Sequence, residues 1–106
     1  EDIDLNVHLI KNVPATFIIR VQGKSMTNVG INDGDLLVVD KSLTPKNFST
    51  VIANVHDELV VKSFVQDKDK QFLTSGSKRF EDRILINEEA DISIWGVVTY
   101  VIHSVY

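Results

Sequence analysis

Residues 23–26 read Gly23-Lys24-Ser25-Met26, and they follow a strand-like run at residues 16–22. A serine at the exit from a strand, next to a small residue, is well placed to expose a nucleophile. A second strand-like run, residues 59–64, carries Lys62, and its period-2 neighbours Val60 and Phe64 put apolar groups on the face of the lysine. Burial disfavours a charged amine, and a neutral amine can accept the proton of a serine hydroxyl. The pattern therefore indicates a Ser-Lys pair.

Two better-known motifs overlap the serine turn, and both are excluded. A phosphate-binding loop requires glycine where Ile18 stands, and a nucleophile elbow requires glycine where Thr27 stands. From the pattern alone, a second interpretation stays open, in which Ser25 is an ordinary turn serine and Lys62 keeps an edge strand soluble. A Ser-His pair would have to use His56, which the sequence places at a hairpin tip.

A longer pattern surrounds the serine turn. Residues 23–26, the segment Gly30-Ile31-Asn32-Asp33-Gly34-Asp35-Leu36-Leu37-Val38-Val39-Asp40 and the later pair Val61-Lys62 together resemble the self-cleaving Ser-Lys peptidase family of LexA and UmuD. The interval from Ser25 to Lys62 agrees with that family. Residues 3–6, 14–17 and 95–98 are more similar to UmuD than to LexA. The similarity extends over nearly the whole chain.

The resemblance implies a function and a set of site residues. Ser25 would be the nucleophile, Lys62 the general base, and the backbone N–H groups of Lys24 and Ser25 the oxyanion donors. The substrate would be the protein's own N-terminal arm, cut at a small-residue–Gly bond and promoted by the RecA filament on single-stranded DNA. The trimmed product would be a homodimer that joins a UmuC-type polymerase for error-prone translesion synthesis in the bacterial SOS response.

Two other functions stay open. The chain could be the C-terminal dimerisation and self-cleavage domain of a LexA- or phage-type repressor, or an interaction module with an inert pair. The chain begins at Glu1 and has no Ala-Gly or Cys-Gly bond ahead of its first predicted helix, which predicts the processed form. The resemblance requires no cofactor or metal, and the histidines His8, His56 and His103 have no ligand spacing.

Composition limits the class of protein. The 106 residues are 43% hydrophobic and 25% charged, which is typical of one globular domain. Absent cysteines exclude disulfides and thiolate metal sites and fit a reducing cytoplasm, which the resemblance implies is bacterial. A net charge of −4 argues against an autonomous, sequence-specific DNA binder. No apolar run is long enough to span a membrane.

The expected fold is mainly β, with a LexA/UmuD-like (β-clip) architecture of antiparallel sheets and one short N-terminal helix. Residues 1–15 are predicted to form the arm and helix, and residues 16–106 a single peptidase domain. Residues 97–106 are apolar on both faces, which predicts a central strand or a subunit contact. Residues 30–35 favour a turn over a calcium loop. The predicted strands are Thr16–Gln22, Asp35–Lys41, Val51–His56, Glu58–Val65, Gln71–Thr74, Ile84–Ile86 and Ile92–Val105.

Overall fold

The computed structural model describes residues 15–23, 26–76 and 82–105. All seven predicted strands are present, with ends that differ from the predicted ones by up to three residues. The predicted N-terminal helix lies outside the described residues, and the boundary between arm and domain stays a prediction. The strands are β1 (Thr16–Arg20), β2 (Leu36–Asp40), β3 (Thr50–Val55), β4 (Glu58–Asp67), β5 (Lys70–Thr74), β6 (Ile84–Leu85) and β7 (Ile92–Ile102).

The strands form one sheet in the order β1-β2-β7-β3-β4-β5-β6, and each pair of neighbours is antiparallel. The mainly β, antiparallel prediction is therefore confirmed. Two short 3-10 turns, Thr27–Val29 and Glu88–Ala90, interrupt segments for which the sequence predicted no helical structure. No helix among the described residues is long and apolar enough to cross a membrane.

The hairpin between β3 and β4 turns on His56 and Asp57. Both residues have positive φ, 51° and 68°, and Val55 pairs directly with Glu58 across the turn. A two-residue hairpin of this kind requires positive φ at both turn positions, which histidine and aspartate tolerate better than most residues. The predicted hairpin is thus confirmed, and its register places Lys62 on β4 opposite Val51 on β3.

Strand β7 lies between β2 and β3, in the middle of the sheet. Its apolar residues belong to two hydrophobic clusters, because alternate side chains leave opposite faces of a strand. The first cluster holds Leu37, Val39 and Ile52, and the second holds Val51 and Ala53 from the same strand β3. The centre of the sheet is therefore covered on both faces. The predicted central position of this strand is confirmed for its first half, whereas Val101 and Ile102 near its end are exposed.

Gly96 allows β2 and β7 to approach closely. A Cβ atom at this position would lie 2.6 Å from Cγ1 of Val39, a side chain with no exposed surface. The β2–β7 pairing shifts register between Val38 and Val39, and the β3–β7 pairing shifts between Ile52 and Ala53. Both register shifts lie close to Gly96, the residue at which β7 has no side chain.

Replacing Gly96 by alanine should therefore destabilise the protein. The added methyl group overlaps a buried β-branched side chain that cannot rotate away, and overpacking of this kind costs about 1–3 kcal/mol. Urea unfolding should show a lower midpoint with an unchanged slope. Ser93→Ala, half-buried in the same strand, is the control and should change stability by less than about 0.5 kcal/mol. Equal stability of Gly96→Ala and the unchanged protein would contradict the close-packing argument.

Candidate active site

Lys62 lies within β4, which pairs with β3 on one side and with β5 on the other. Its partner on β3 is Val51, which has no exposed surface. The lysine is half-buried, and its Nζ donates a hydrogen bond to Oγ of Ser75 over 3.0 Å. The predicted lysine is therefore held within the sheet between an apolar neighbour and a hydroxyl, and the alternative of an edge-strand lysine is excluded.

The serine turn is anchored at both of its described ends. Gly23 adopts a φ of 101°, a conformation that favours glycine, and its N–H donates to Oδ1 of Asp33 over 2.8 Å. Met26 is 2% exposed and belongs to the first hydrophobic cluster. Lys24 and Ser25 lie outside the described residues. The nucleophile and the oxyanion N–H groups therefore stay predictions, although the residues on either side of them are fixed.

One cavity of about 180 Å³ connects the two parts of the predicted site. Lys62 lines it, and so do both residues that flank the pair Lys24-Ser25. The fold thus brings the start and the end of the serine turn to the same cavity as the lysine. His56, the alternative base, is exposed at the hairpin turn and does not line this cavity. The residues that line it include Ile19, Val21, Gly23, Met26, Ile52 and Lys62.

A third segment, Ser75-Gly76, contacts both parts of the site. Besides the bond from Lys62 to Ser75, the Gly76 N–H donates to Sδ of Met26 over 2.9 Å, and the Gly76 carbonyl accepts from Oγ of Ser63 over 2.8 Å. The sequence analysis missed this segment, whose composition indicates only a polar loop. The β4–β5 register contains the missing signal: Ser63 pairs with Thr74, so the next position along, Ser75, falls opposite Lys62.

The turn at residues 30–35 contacts the start of the serine turn, because Asp33 accepts the hydrogen bond from Gly23. Asp35 is 2% exposed, and its carboxylate accepts from the Asn32 N–H over 2.8 Å and contacts Nδ1 of His103 at 2.6 Å. The Asn32 hydrogen bond, followed by the His103 contact, holds the pKa of Asp35 below its ordinary range. The predicted turn is observed, and no group of three or more metal-ligating side chains occurs among the described residues.

The sequence matches the family described as Peptidase S24-like over residues 1–99. Protein ImpA of Salmonella typhimurium is 40% identical over 103 residues, which cover 97% of this chain and 69% of that protein. Protein MucA of Salmonella typhimurium is 35% identical over 100 residues, with 94% and 68% covered. The LexA repressor of Providencia rettgeri is 36% identical over 90 residues, with 85% and 44% covered.

The Asp35 contacts predict a stability that depends on acid pH. Because the folded pKa is depressed, the ionised carboxylate stabilises the fold above the unfolded pKa, about 3.9 for aspartate, and this stabilisation is lost as pH falls through the folded pKa. Asp35→Asn should therefore lower the urea midpoint at neutral pH, and the difference from the unchanged protein should shrink in acid. Asp69→Asn, in the exposed β4–β5 turn, is the control. A difference that stays constant down to about pH 2 would contradict the assignment.

Proposed function

The chain belongs to the Peptidase S24-like family, and from that premise we propose that it is a self-cleaving serine peptidase with Ser25 as nucleophile and Lys62 as general base. The observation that carries the proposal is the shared cavity, which Lys62 lines together with Gly23 and Met26, the described residues on either side of the serine. A base must lie within hydrogen-bond reach of the proton it takes. Lys62 and both described ends of the serine turn border the same cavity, which meets the first condition for such a contact.

The reaction proceeds through an acyl-enzyme. The neutral Lys62 amine accepts the proton of Ser25 Oγ as that oxygen attacks the scissile carbonyl carbon. The tetrahedral intermediate collapses, the peptide C–N bond breaks, and the Lys62 ammonium returns the proton to the leaving amine. Water, deprotonated by the same amine, then hydrolyses the ester and restores the serine. The serine and the lysine thus act in both halves of the reaction.

The oxyanion of each intermediate requires hydrogen-bond donors that are in place before the reaction. The backbone N–H groups of Lys24 and Ser25 are proposed for this role. The support for this role comes from the two described neighbours of the pair: Gly23 is held by Asp33, and Met26 is buried in the core. Donors that are held in place before the reaction stabilise the oxyanion without a cost of reorganisation.

The proposed substrate and biological role follow from the similarity to UmuD. The substrate is the protein's own N-terminal arm, cut at a small-residue–Gly bond with promotion by the RecA filament on single-stranded DNA. The product is the accessory subunit of a UmuC-type translesion polymerase in the SOS response of the bacterial cytoplasm. The matches to ImpA and MucA extend over 97% and 94% of this chain, and the match to the LexA repressor extends over 85%.

The repressor alternative keeps its own support, since the LexA repressor is 36% identical over the matched residues. The two functions differ in what precedes the peptidase domain. A helix-turn-helix encoded upstream in the gene would favour a repressor, and a short arm of a few dozen residues would favour the polymerase accessory subunit. Sequencing the gene upstream of the codon for Glu1 distinguishes them.

A homodimer is part of the proposal. The end of β7 and the residues after it expose the apolar side chains Val101, Ile102 and Val105, which are 40%, 42% and 98% exposed. Val101 and Ile102 leave opposite faces of the strand, so apolar surface is exposed on both faces at this end of β7. Exposed apolar surface of this kind is a feature of protein–protein contact sites. The contact between His103 and Asp35 joins this region to the turn at residues 30–35 and so restrains the position of the surface.

Self-cleavage tests the site assignment directly. The chain, preceded by an arm that contains an Ala-Gly bond, should cut itself slowly near pH 7 and faster at higher pH, because only the neutral amine accepts the serine proton. The rate should rise about tenfold per pH unit while the ammonium is the major form. Intact mass after timed incubation, with and without RecA filament, measures the reaction.

Two variants of the same protein complete the cleavage test. Ser25→Ala removes the nucleophile, and Lys62→Met removes the base while keeping most of the side-chain volume, so both should leave the arm uncut in a folded protein. Ser42→Ala, which alters a serine two residues beyond the end of β2, should cleave normally and is the control. Loss of the arm from Ser25→Ala at the unchanged rate would show that another residue is the nucleophile.

The dimer is tested by placing a charge on its proposed surface. Val101→Asp should convert a dimer at micromolar concentration into the 11.9 kDa monomer, because a carboxylate cannot be buried unpaired in an apolar contact. Leu85→Asp is the matched control, since Leu85 is 45% exposed in β6, the edge strand separated from β7 by β3, β4 and β5. Sedimentation velocity measures the mass. A monomer before substitution, or a dimer that Val101→Asp leaves intact, would count against this surface.

A further inference from the structure

The side chain of Ser75 is the hydrogen-bond partner of the Lys62 amine. The contact is 3.0 Å long and joins residues from neighbouring chain segments, because Ser75 directly follows the last paired residue of β5. Directly opposed residues of antiparallel strands have Cβ atoms about 5 Å apart, so a lysine can reach the hydroxyl without leaving the sheet. On the other side of Lys62, β3 presents only the buried Val51.

A hydroxyl is chemically different from the partner that a structural lysine usually has. A carboxylate would stabilise the ammonium form strongly and oppose the loss of its proton. Among the residues that the structure describes, Lys62 forms no ion pair. An uncharged hydroxyl oxygen can accept an N–H from either the ammonium or the neutral amine. It therefore restrains the position of Nζ in both protonation states that the proposed reaction requires.

The direction of this hydrogen bond determines where the lone pair of the amine points. A neutral amine has two N–H groups and one lone pair, and the lone pair must face the serine hydroxyl to accept its proton. When one N–H is donated to Ser75, the lone pair points away from Ser75 and can face another group. Lysine has many rotamers, and restricting such a side chain to one of them costs conformational entropy. A hydroxyl that fixes the amine before the reaction removes that cost from the barrier.

The position of Ser75 is itself fixed relative to the serine turn. Its neighbour Gly76 is buried, donates its N–H to Sδ of Met26 and accepts a hydrogen bond from Ser63, which follows Lys62 in β4. One two-residue segment thus contacts the strand that carries the lysine and the residue that follows Ser25. A shift of either element would have to break a contact with this segment.

Resting on the function proposed above, we propose that Ser75 is a positioning residue for the general base. Its hydroxyl accepts an N–H from Lys62 and leaves the amine lone pair directed into the cavity lined by Gly23 and Met26. Ser75 does not touch the substrate and takes no proton in the reaction. Its effect on the rate passes entirely through the geometry of Lys62.

The experiment uses the chain preceded by an arm with an Ala-Gly bond. Its first-order cleavage rate is measured from neutral pH up to the alkaline plateau, and thermal unfolding is measured in parallel. Ser75→Ala should lower the rate about tenfold or more at every pH, including the plateau, because misplacing a reacting group by about 1 Å can cost about 100-fold. A merely structural role would change the unfolding temperature and leave the plateau rate of the folded protein unchanged.

A matched pair of variants separates the hydroxyl from the shape of the side chain. Ser75→Thr keeps the hydroxyl, so it should cleave nearly as fast as the unchanged protein. Ser75→Val has nearly the shape of Ser75→Thr but lacks the hydroxyl, so it should be as slow as Ser75→Ala. The pair also decides the matter if alanine weakens folding, since both variants carry the same bulk. Ser42→Ala, which removes a hydroxyl bonded to Asp40 at the far end of β2, is the control and should cleave normally.

The outcomes distinguish this inference from the proposed function. If Lys62→Met is uncut but Ser75→Val cleaves as fast as Ser75→Thr, the lysine is the base and Ser75 does not position it. If Lys62→Met or Ser25→Ala still cleaves at the unchanged rate, the proposed Ser-Lys reaction itself is wrong, whatever Ser75 does. A slow Ser75→Val beside a fast Ser75→Thr, with Lys62→Met inactive, supports both.

Discussion

The pairing of β4 between β3 and β5 is the constraint on which the site depends. Lys62 is half-buried at this position, with Val51 beside it on β3 and the Ser75 segment on its other side. The strand register and the hydrogen bond to Ser75 together restrain Nζ, a restraint that a flexible surface lysine would lack. The tight His56-Asp57 turn sets that register, since a one-residue slip would turn Lys62 to the opposite face.

The serine turn has to be held against this fixed lysine by contacts that are distant in sequence. Asp33 fixes Gly23 ten positions away, and the Gly76 N–H contacts Met26 fifty positions away. The second contact uses a thioether, a weak acceptor on a flexible and polarisable side chain. Met26 therefore fills the first hydrophobic cluster and accepts a hydrogen bond at the same time. The turn thus depends on the core for its position, which explains why a buried methionine follows the proposed nucleophile.

The strands and the hairpin could be predicted from the sequence because both depend on local patterns. Short runs rich in apolar and β-branched residues, bounded by turn formers, mark the strands, and two residues that tolerate positive φ mark the hairpin turn. Ser75 could not be found in this way, because its role arises from a pairing between β4 and β5 that a polar loop sequence does not reveal. The same holds for the contact of His103 with Asp35, which joins residues 68 positions apart. The two 3-10 turns are too short to give a periodic signal.

The His103–Asp35 contact also links the proposed dimer surface to the turn that holds the start of the serine turn. His103 directly follows the exposed Ile102 of the proposed dimer surface, and Asp35 closes the turn whose Asp33 holds Gly23. A continuous set of contacts therefore runs from the end of β7 to the start of the serine turn. Residues that share such a network do not contribute additively to stability or activity. A substitution on the proposed dimer surface would thus have two routes to a change in the proposed self-cleavage, through loss of the partner and through this turn. A double-mutant cycle between Val101 and Asp35 separates the two.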